Sequence, residues 1–144
     1  MRRAFACLML SAAPPAFAAD PPAATIDLGV YAGRLPSEPV DGLSFLAQPR
    51  VRAAVEAAGA SETVRLWIFE RAGQQTPVTL RDGWLVSWGC EAHNCNDHDW
   101  TIFIDRAGTS ARICYHVART MGERSRWFQT GRPSEMRPDE SCPS

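Results

Sequence analysis

The residues with the clearest potential for chemistry lie between two closely spaced cysteines, in the segment Cys-Glu-Ala-His-Asn-Cys at 90–95. If Cys90 and Cys95 are oxidised, they close a tight ring that holds the imidazole of His93 on a stiff loop. If they are reduced, the same residues together with His98 offer sulfur and nitrogen ligands for a tetrahedral zinc ion. The redox state of the compartment therefore decides between a presented side chain and a metal site.

The N-terminal segment indicates an oxidising compartment, because it has the pattern of a secretory signal peptide. Two arginines precede an apolar segment at 4–13, and a small-x-small cleavage signal follows at 16–18. We therefore expect a signal peptide at 1–19 and a single domain at 20–144. The remaining sequence has no second apolar run long enough to predict a membrane span.

The charge balance narrows the classes of partner. All 15 basic residues are arginines, and without the two in the predicted signal peptide 13 arginines stand against 16 acidic residues, a net charge of −3. This balance disfavours nucleic acid and anionic membranes as partners. A basic partner suits the chain better.

The cysteine count predicts disulfides. Four cysteines follow the predicted signal peptide, namely Cys90, Cys95, Cys114 and Cys142. An even number in an exported chain is typical of two disulfides, for which four cysteines allow three pairings. We favour Cys90–Cys95, which closes a local ring, together with Cys114–Cys142, which ties the C-terminal segment to a strand.

Hydrophobic periodicity predicts the elements that position the loop. Residues 49–58 predict a helix, with a proline at its first position and a glycine just after its end. A period of two then predicts five strands, at 64–69, 76–81, 83–89, 100–105 and 111–117, and residues 125–129 are a candidate for a further one. The fold class is therefore α+β, an antiparallel sheet of about five strands with a helix packed on one face. The cysteine loop lies at a hairpin tip, where long loops are often functional.

Catalysis and binding make different demands on this loop. His93, Asp97 and Asp99 could form an acid/base cluster, but no motif with a serine or cysteine nucleophile accompanies them, so we expect no enzymatic activity. A stiff loop loses little conformational entropy when it enters a cleft. A charged imidazole donates two hydrogen bonds, which suits a cleft with two carboxyl groups, as in a glycosidase.

The loop resembles the C-x-x-H-x-C loop of the Ivy family, the periplasmic inhibitors of vertebrate c-type lysozyme. The helix at 49–58, the segments 66–68 and 76–80, and the strand leading into Cys90 occur in the order found in that family. The resemblance extends over roughly residues 45–117.

The resemblance implies a non-enzymatic periplasmic protein, without cofactor or metal, that occludes the active-site cleft of a c-type lysozyme or a related muramidase. It also implies a homodimer. Cys90 and Cys95 take the positions of the loop disulfide. His93 takes the position of the histidine that meets the catalytic carboxyl groups of the enzyme.

Three residues of the loop depart from the family pattern, which commonly has Lys-Pro before the histidine and Asp after it. Here these positions carry Glu91, Ala92 and Asn94. Without the proline, the loop depends more on its disulfide for rigidity. Glu91 places a negative charge near the carboxylates of the target, and we expect this charge to lower the affinity.

Two alternative functions stay open at this point. The first is an exported metal-binding module with the ligands Cys90, His93, Cys95 and His98. The second is a cell-envelope interaction protein that does not inhibit lysozyme.

Overall fold

The computed structural model describes residues 26–71, 73–139 and 141–144, so the predicted signal peptide at 1–19 lies outside the described residues. In chain order the elements are a 3₁₀ helix Leu28–Tyr31, β1 Pro39–Val40, β2 Leu43–Ser44, a 3₁₀ helix Phe45–Ala47, α1 Pro49–Ala57, α2 Glu62–Leu66, a π-helical turn Trp67–Arg71, β3 Gln74–Gln75, β4 Thr79–Arg81, β5 Trp84–Cys90, β6 His98–Asp105, β7 Ala111–Val117, α3 Ala118–Met121, β8 Ser125–Gln129 and β9 Arg132–Arg137. Within the described ranges, no helix has the length and apolar character needed to cross a membrane.

The strands from β3 to β9 form one seven-stranded antiparallel sheet. Its order is β3-β5-β6-β7-β8-β9, and β4 pairs with β5 beside β3. The predicted α+β class and antiparallel sheet are confirmed. The sheet has more strands than predicted because β3 is only two residues long and β9 lies in a segment rich in charge, where periodicity gives little signal.

One face of the sheet is covered by helices. Pro49 opens α1, and Gly59 follows its end with a φ of 84°, a left-handed conformation that stops a helix. The buried stripe of α1 consists of Val51, Ala54 and Val55. Residues that alternate along the strands complete the core on this face, and they are Leu85, Trp100, Ile102, Ile104, Ile113 and Phe128. The predicted helix on one face of the sheet is confirmed.

The C-terminal segment covers part of the other face. A disulfide joins Cys114 in β7 to Cys142, and both residues are buried with Trp127 in a small cluster. The hydroxyl of Thr101 in β6 donates a hydrogen bond of 2.7 Å to the carbonyl of Pro143. The bridge favoured by the sequence therefore fixes the end of the chain on the middle of the sheet.

The strand predicted at 64–69 is wrong, because these residues form α2 and the π-helical turn that follows it. Ser61 caps α2, and its hydroxyl oxygen accepts a hydrogen bond of 3.4 Å from the amide of Val64. Val64 and Ile68 are buried at a spacing of four residues, whereas Leu66 between them is 40% exposed. The same apolar residues fit both periods, and the cap selects the helix.

Candidate functional site

The cysteine loop spans residues 91–97, between the end of β5 and the start of β6. A disulfide joins Cys90 to Cys95, with 4.8 Å between their Cα atoms. The amide of Asn94 donates a hydrogen bond of 3.0 Å to the carbonyl of Glu91, which closes a turn over 91–94. At the base, the amide of Glu91 bonds the carbonyl of His98 at 3.0 Å. Covalent and backbone bonds thus fix the loop at both ends.

His93 occupies the third position of this turn and is exposed. Its φ is 63°, in the left-handed region that a residue with a side chain rarely adopts. Histidine is among the few non-glycine residues enriched there, and the conformation still costs about 1 kcal/mol. The fold therefore maintains a locally unfavourable backbone that leaves this imidazole accessible.

The side chain of Glu91 is engaged within the protein. Its Oε2 accepts hydrogen bonds from Asn94 Nδ2 at 2.8 Å and from His98 Nδ1 at 3.1 Å. These bonds, first that of Asn94 and then that of His98, hold the pKa of Glu91 below its ordinary value. On its other side, Nε2 of His98 lies 2.9 Å from the hydroxyl of Tyr115 in β7. A chain of hydrogen bonds thus runs from the sheet into the loop.

His98 lies among aromatic side chains and is only 4% exposed. Its ring meets the ring of Trp67 edge to face, with 4.2 Å between the centroids. The guanidinium of Arg71 lies 4.8 Å from the centre of the Trp67 ring and adds a positive charge near Glu91. The π-helical turn thus supports the base of the loop from the helical face of the sheet.

The sequence prediction did not identify Tyr115, Trp67 or Arg71 as supports of the loop. One signal for Tyr115 was present, because the hairpin between β6 and β7 pairs His98 with Val117 and makes Tyr115 its diagonal neighbour on the same face. No comparable signal existed for Trp67 and Arg71, since their segment was predicted to be a strand.

Gly73 allows the chain before β3 to approach the loop closely. A Cβ atom at this position would lie 2.0 Å from the carbonyl oxygen of Cys90 and 2.8 Å from the amide nitrogen of Ala92. Both are backbone atoms, so a side chain here cannot be accommodated by a rotamer change. The absence of a side chain at Gly73 is therefore a condition for the observed loop position.

Replacing Gly73 by alanine is expected to displace the loop from β3 and to lower the free energy of unfolding by about 1–3 kcal/mol. Thermal unfolding measures the stability, and hydrogen exchange at the amide of Asn94 measures the order of the loop. The control is Thr76→Ala, because Thr76 is an exposed residue of the same segment. A wild-type Asn94 exchange rate in Gly73→Ala would contradict the prediction.

Asp99 belongs to the other face of the sheet, where it is 1% exposed. Its Oδ2 accepts hydrogen bonds from the amide of Cys142 at 2.9 Å and from Nε1 of Trp88 at 3.3 Å. Its Oδ1 lies 3.3 Å from Nδ1 of His116, whose Nε2 donates to the carbonyl of Gly122 at 2.9 Å. Burial raises the pKa of Asp99 despite these bonds. This carboxyl group therefore braces the C-terminal segment.

Replacing Asp99 by asparagine is expected to stabilise the protein at neutral pH. Because burial raises the folded pKa above 3.8, the folded state binds the extra proton, and the contribution of this group to stability falls as pH rises from 3.8 through the folded pKa. Asparagine keeps the acceptor for Cys142 and Trp88, and its amide can donate to His116.

Thermal unfolding of Asp99→Asn, at neutral pH and near the ordinary pKa of a carboxyl group, tests this expectation. The midpoint should rise at neutral pH and depend less on pH than that of the wild type. The matched variant Asp99→Ala leaves the buried amide of Cys142 without its acceptor and should lose about 1–3 kcal/mol. A lower midpoint for Asp99→Asn at neutral pH would show that the buried charge is stabilising.

The described residues do not form the acid/base cluster or the metal site that the sequence left open for the loop. Asp99 is buried against the C-terminal segment while His93 is exposed, so these two residues do not form an acid/base cluster. Of the four candidate metal ligands, Cys90 and Cys95 are bonded to each other and His98 is bonded to Glu91. Among the described residues, no group of three or more histidine, cysteine or acidic side chains is placed to hold a metal ion.

The fold and the loop define a small disulfide-bonded protein that presents an exposed histidine on a fixed hairpin tip. Comparison with protein-family models identifies its family. The family model described as inhibitor of vertebrate lysozyme (Ivy) matches residues 50–139, and the chain belongs to this family. No curated protein and no solved structure gave a significant match.

Membership of the family has direct consequences. Ivy proteins are inhibitors and not enzymes, so the prediction of a non-enzymatic protein is confirmed. The matched region contains the whole loop and its supports Trp67, Arg71, His98 and Tyr115. The family and the two disulfides together indicate an exported protein.

Proposed function

We propose that the protein inhibits a c-type lysozyme in the periplasm by inserting the 91–97 loop into the active-site cleft, with His93 as the anchor. The observation that carries the proposal is the exposed His93 in a turn held by the Cys90–Cys95 disulfide. Family membership supplies the kind of target. The signal peptide and the homodimer remain predictions.

The chemistry of an imidazole suits the cleft of a lysozyme. Glycosidases of this kind use two carboxyl groups, one protonated as the acid and one ionised. A neutral imidazole has one donor and one acceptor nitrogen, so it can donate to the ionised carboxylate and accept from the protonated one. A charged imidazole can instead donate to two carboxylates. In either state, His93 can satisfy hydrogen-bonding groups that inhibitor binding removes from water.

The rigidity of the loop supports the same mechanism. A disulfide between residues 90 and 95 and the backbone bonds at both ends of the loop restrict its conformations before binding. A preformed loop loses less conformational entropy in the complex than a flexible one, which favours tight binding. The net negative charge of the chain also favours association with a basic enzyme. These properties describe a competitive inhibitor that blocks the cleft.

The direct test measures the lysis of bacterial cells by a c-type lysozyme, with and without the purified protein. The proposal expects lysis to slow as the protein is added and to recover at high substrate concentration, since the inhibition is competitive. Thiol titration of the denatured, unreduced protein without its signal peptide should find no free thiol. Full lysis at a large excess of properly oxidised protein would remove lysozyme inhibition as the function.

A further inference from the structure

Glu91 lies two residues before His93, where its charge alone would oppose entry of the loop into a cleft lined by carboxyl groups. In the structure, however, the carboxylate is engaged by Asn94 and His98, and the Glu91 side chain is 37% exposed. Arg71 adds a compensating positive charge nearby. The local environment thus offsets the charge that Glu91 would otherwise bring to the target.

The hydrogen-bond chain has a defined direction, because an ionised carboxylate only accepts. The proton of His98 that meets Glu91 is therefore on Nδ1. In the neutral ring, Nε2 is then an acceptor, and it receives the hydroxyl proton of Tyr115 at 2.9 Å. Burial raises the pKa of Tyr115 to about 12, so this hydroxyl keeps its proton at neutral pH. Every group in the chain therefore has a complementary partner.

The buried end of this hydrogen-bond chain is rigid. The side chain of His98 is 5% exposed and packs edge to face against Trp67, while Tyr115 is 5% exposed in the middle of β7. A loop residue that is bonded to these rigid groups is itself held in place. Moving Glu91 would leave the buried imidazole N–H of His98 without an acceptor, which costs free energy. Glu91 and Asn94 flank His93 on both sides, so the restraint acts on the turn that carries it.

We propose that Glu91 is a positioning residue, which binds the loop to the buried pair of His98 and Tyr115 and so holds His93 in its binding conformation. This role rests on the proposed lysozyme inhibition. It reverses the effect expected from charge alone, since Glu91 then strengthens inhibition. The partner of the carboxylate is the protein's own histidine, and the imidazole of His93 remains free for the target.

Two substitutions at Glu91 separate positioning from charge. Glu91→Ala removes the acceptor and the charge, whereas Glu91→Gln removes the charge and keeps an oxygen that can accept from His98 and Asn94. Positioning predicts an inhibition constant about tenfold higher for Glu91→Ala, and a value within about threefold of wild type for Glu91→Gln. Charge repulsion predicts tighter inhibition by both variants. Glu123→Ala, at an exposed position, controls for the change in net charge.

Hydrogen exchange and thermal unfolding complete the test. The amide of Asn94, bonded to the Glu91 carbonyl, should exchange faster in Glu91→Ala and at the wild-type rate in Glu91→Gln, with little change in the unfolding midpoint of either. Tighter inhibition by both variants, equal weakening of both, or unchanged exchange in Glu91→Ala would each overturn the positioning role. If the wild type does not inhibit lysozyme, the proposed function fails, and the exchange rates still decide whether Glu91 orders the loop.

Discussion

Replacing His93 by alanine is expected to raise the dissociation constant for a c-type lysozyme by roughly 30- to 1,000-fold, or about 2–4 kcal/mol. The reason is that an anchor in the centre of an interface fills a desolvated site, and its removal also leaves groups of the target unpaired. His93 is exposed and makes no hydrogen bond to other described residues through its side chain. The fold should therefore persist in the variant. Titration calorimetry with lysozyme measures the loss.

The backbone of His93 provides a stringent control. Because its φ of 63° is unfavourable for a residue with a side chain, His93→Gly should raise the free energy of unfolding by about 1 kcal/mol. The glycine variant should nevertheless lose inhibition, so that lower stability cannot explain the loss. Glu123→Ala changes an exposed residue outside the loop and should inhibit like the wild type. A fully potent His93→Gly would exclude the histidine from the mechanism.

Removing the Cys114–Cys142 disulfide by a double substitution to alanine is expected to lower the free energy of unfolding by about 3.5 kcal/mol. The two cysteines are 28 residues apart, so their bond restricts the unfolded chain more than the bond across five residues does. For a domain of this size, the thermal midpoint should fall by roughly 10 °C or more. Inhibition measured well below the new midpoint should change little, because this bridge lies on the face of the sheet away from His98.

The Cys90–Cys95 bridge is the matched comparison. The tail bridge should matter more for stability, and the Cys90–Cys95 bridge should matter more for inhibition. Its removal should lower the free energy of unfolding by only about 2 kcal/mol and should weaken inhibition more than loss of the tail bridge does. Thermal unfolding and lysozyme inhibition of the two double variants can be compared directly. If loss of the tail bridge weakened inhibition more than loss of the ring, the assignment of the ring to loop rigidity would be wrong.

Much of the fold could be predicted because local signals agreed with the tertiary structure. Pro49 and Gly59 mark both ends of α1, and the predicted strand at 111–117 has the observed bounds of β7. Family membership was also predictable, since the cysteine-histidine loop survives as a motif in the sequence. The segment 64–69 was the main error. Its apolar residues alternate as in a strand, but only Val64 and Ile68 are buried, and their spacing of four residues is that of a helix.

The role of Glu91 illustrates what the sequence could not provide. Its charge is visible in the sequence, but its partners depend on where β6 places His98 and where the π-helical turn places Arg71. In the sequence, the neighbours His98 and Asp99 were both candidates for a role in the loop. The alternation of the strand sends them to opposite faces, where one supports the loop and the other supports the C-terminal segment. Register and facing are tertiary properties that periodicity alone does not fix.

The order of the cysteines along the meander has a consequence for oxidative folding. Cys90 and Cys95 are five residues apart, so they meet far more often in an unfolded chain than Cys114 and Cys142. Their early pairing leaves Cys114 with a single correct partner and removes the two wrong pairings. The ring that shapes the loop thereby also directs the second disulfide, which closes only once β7 and the last segment of the chain are adjacent.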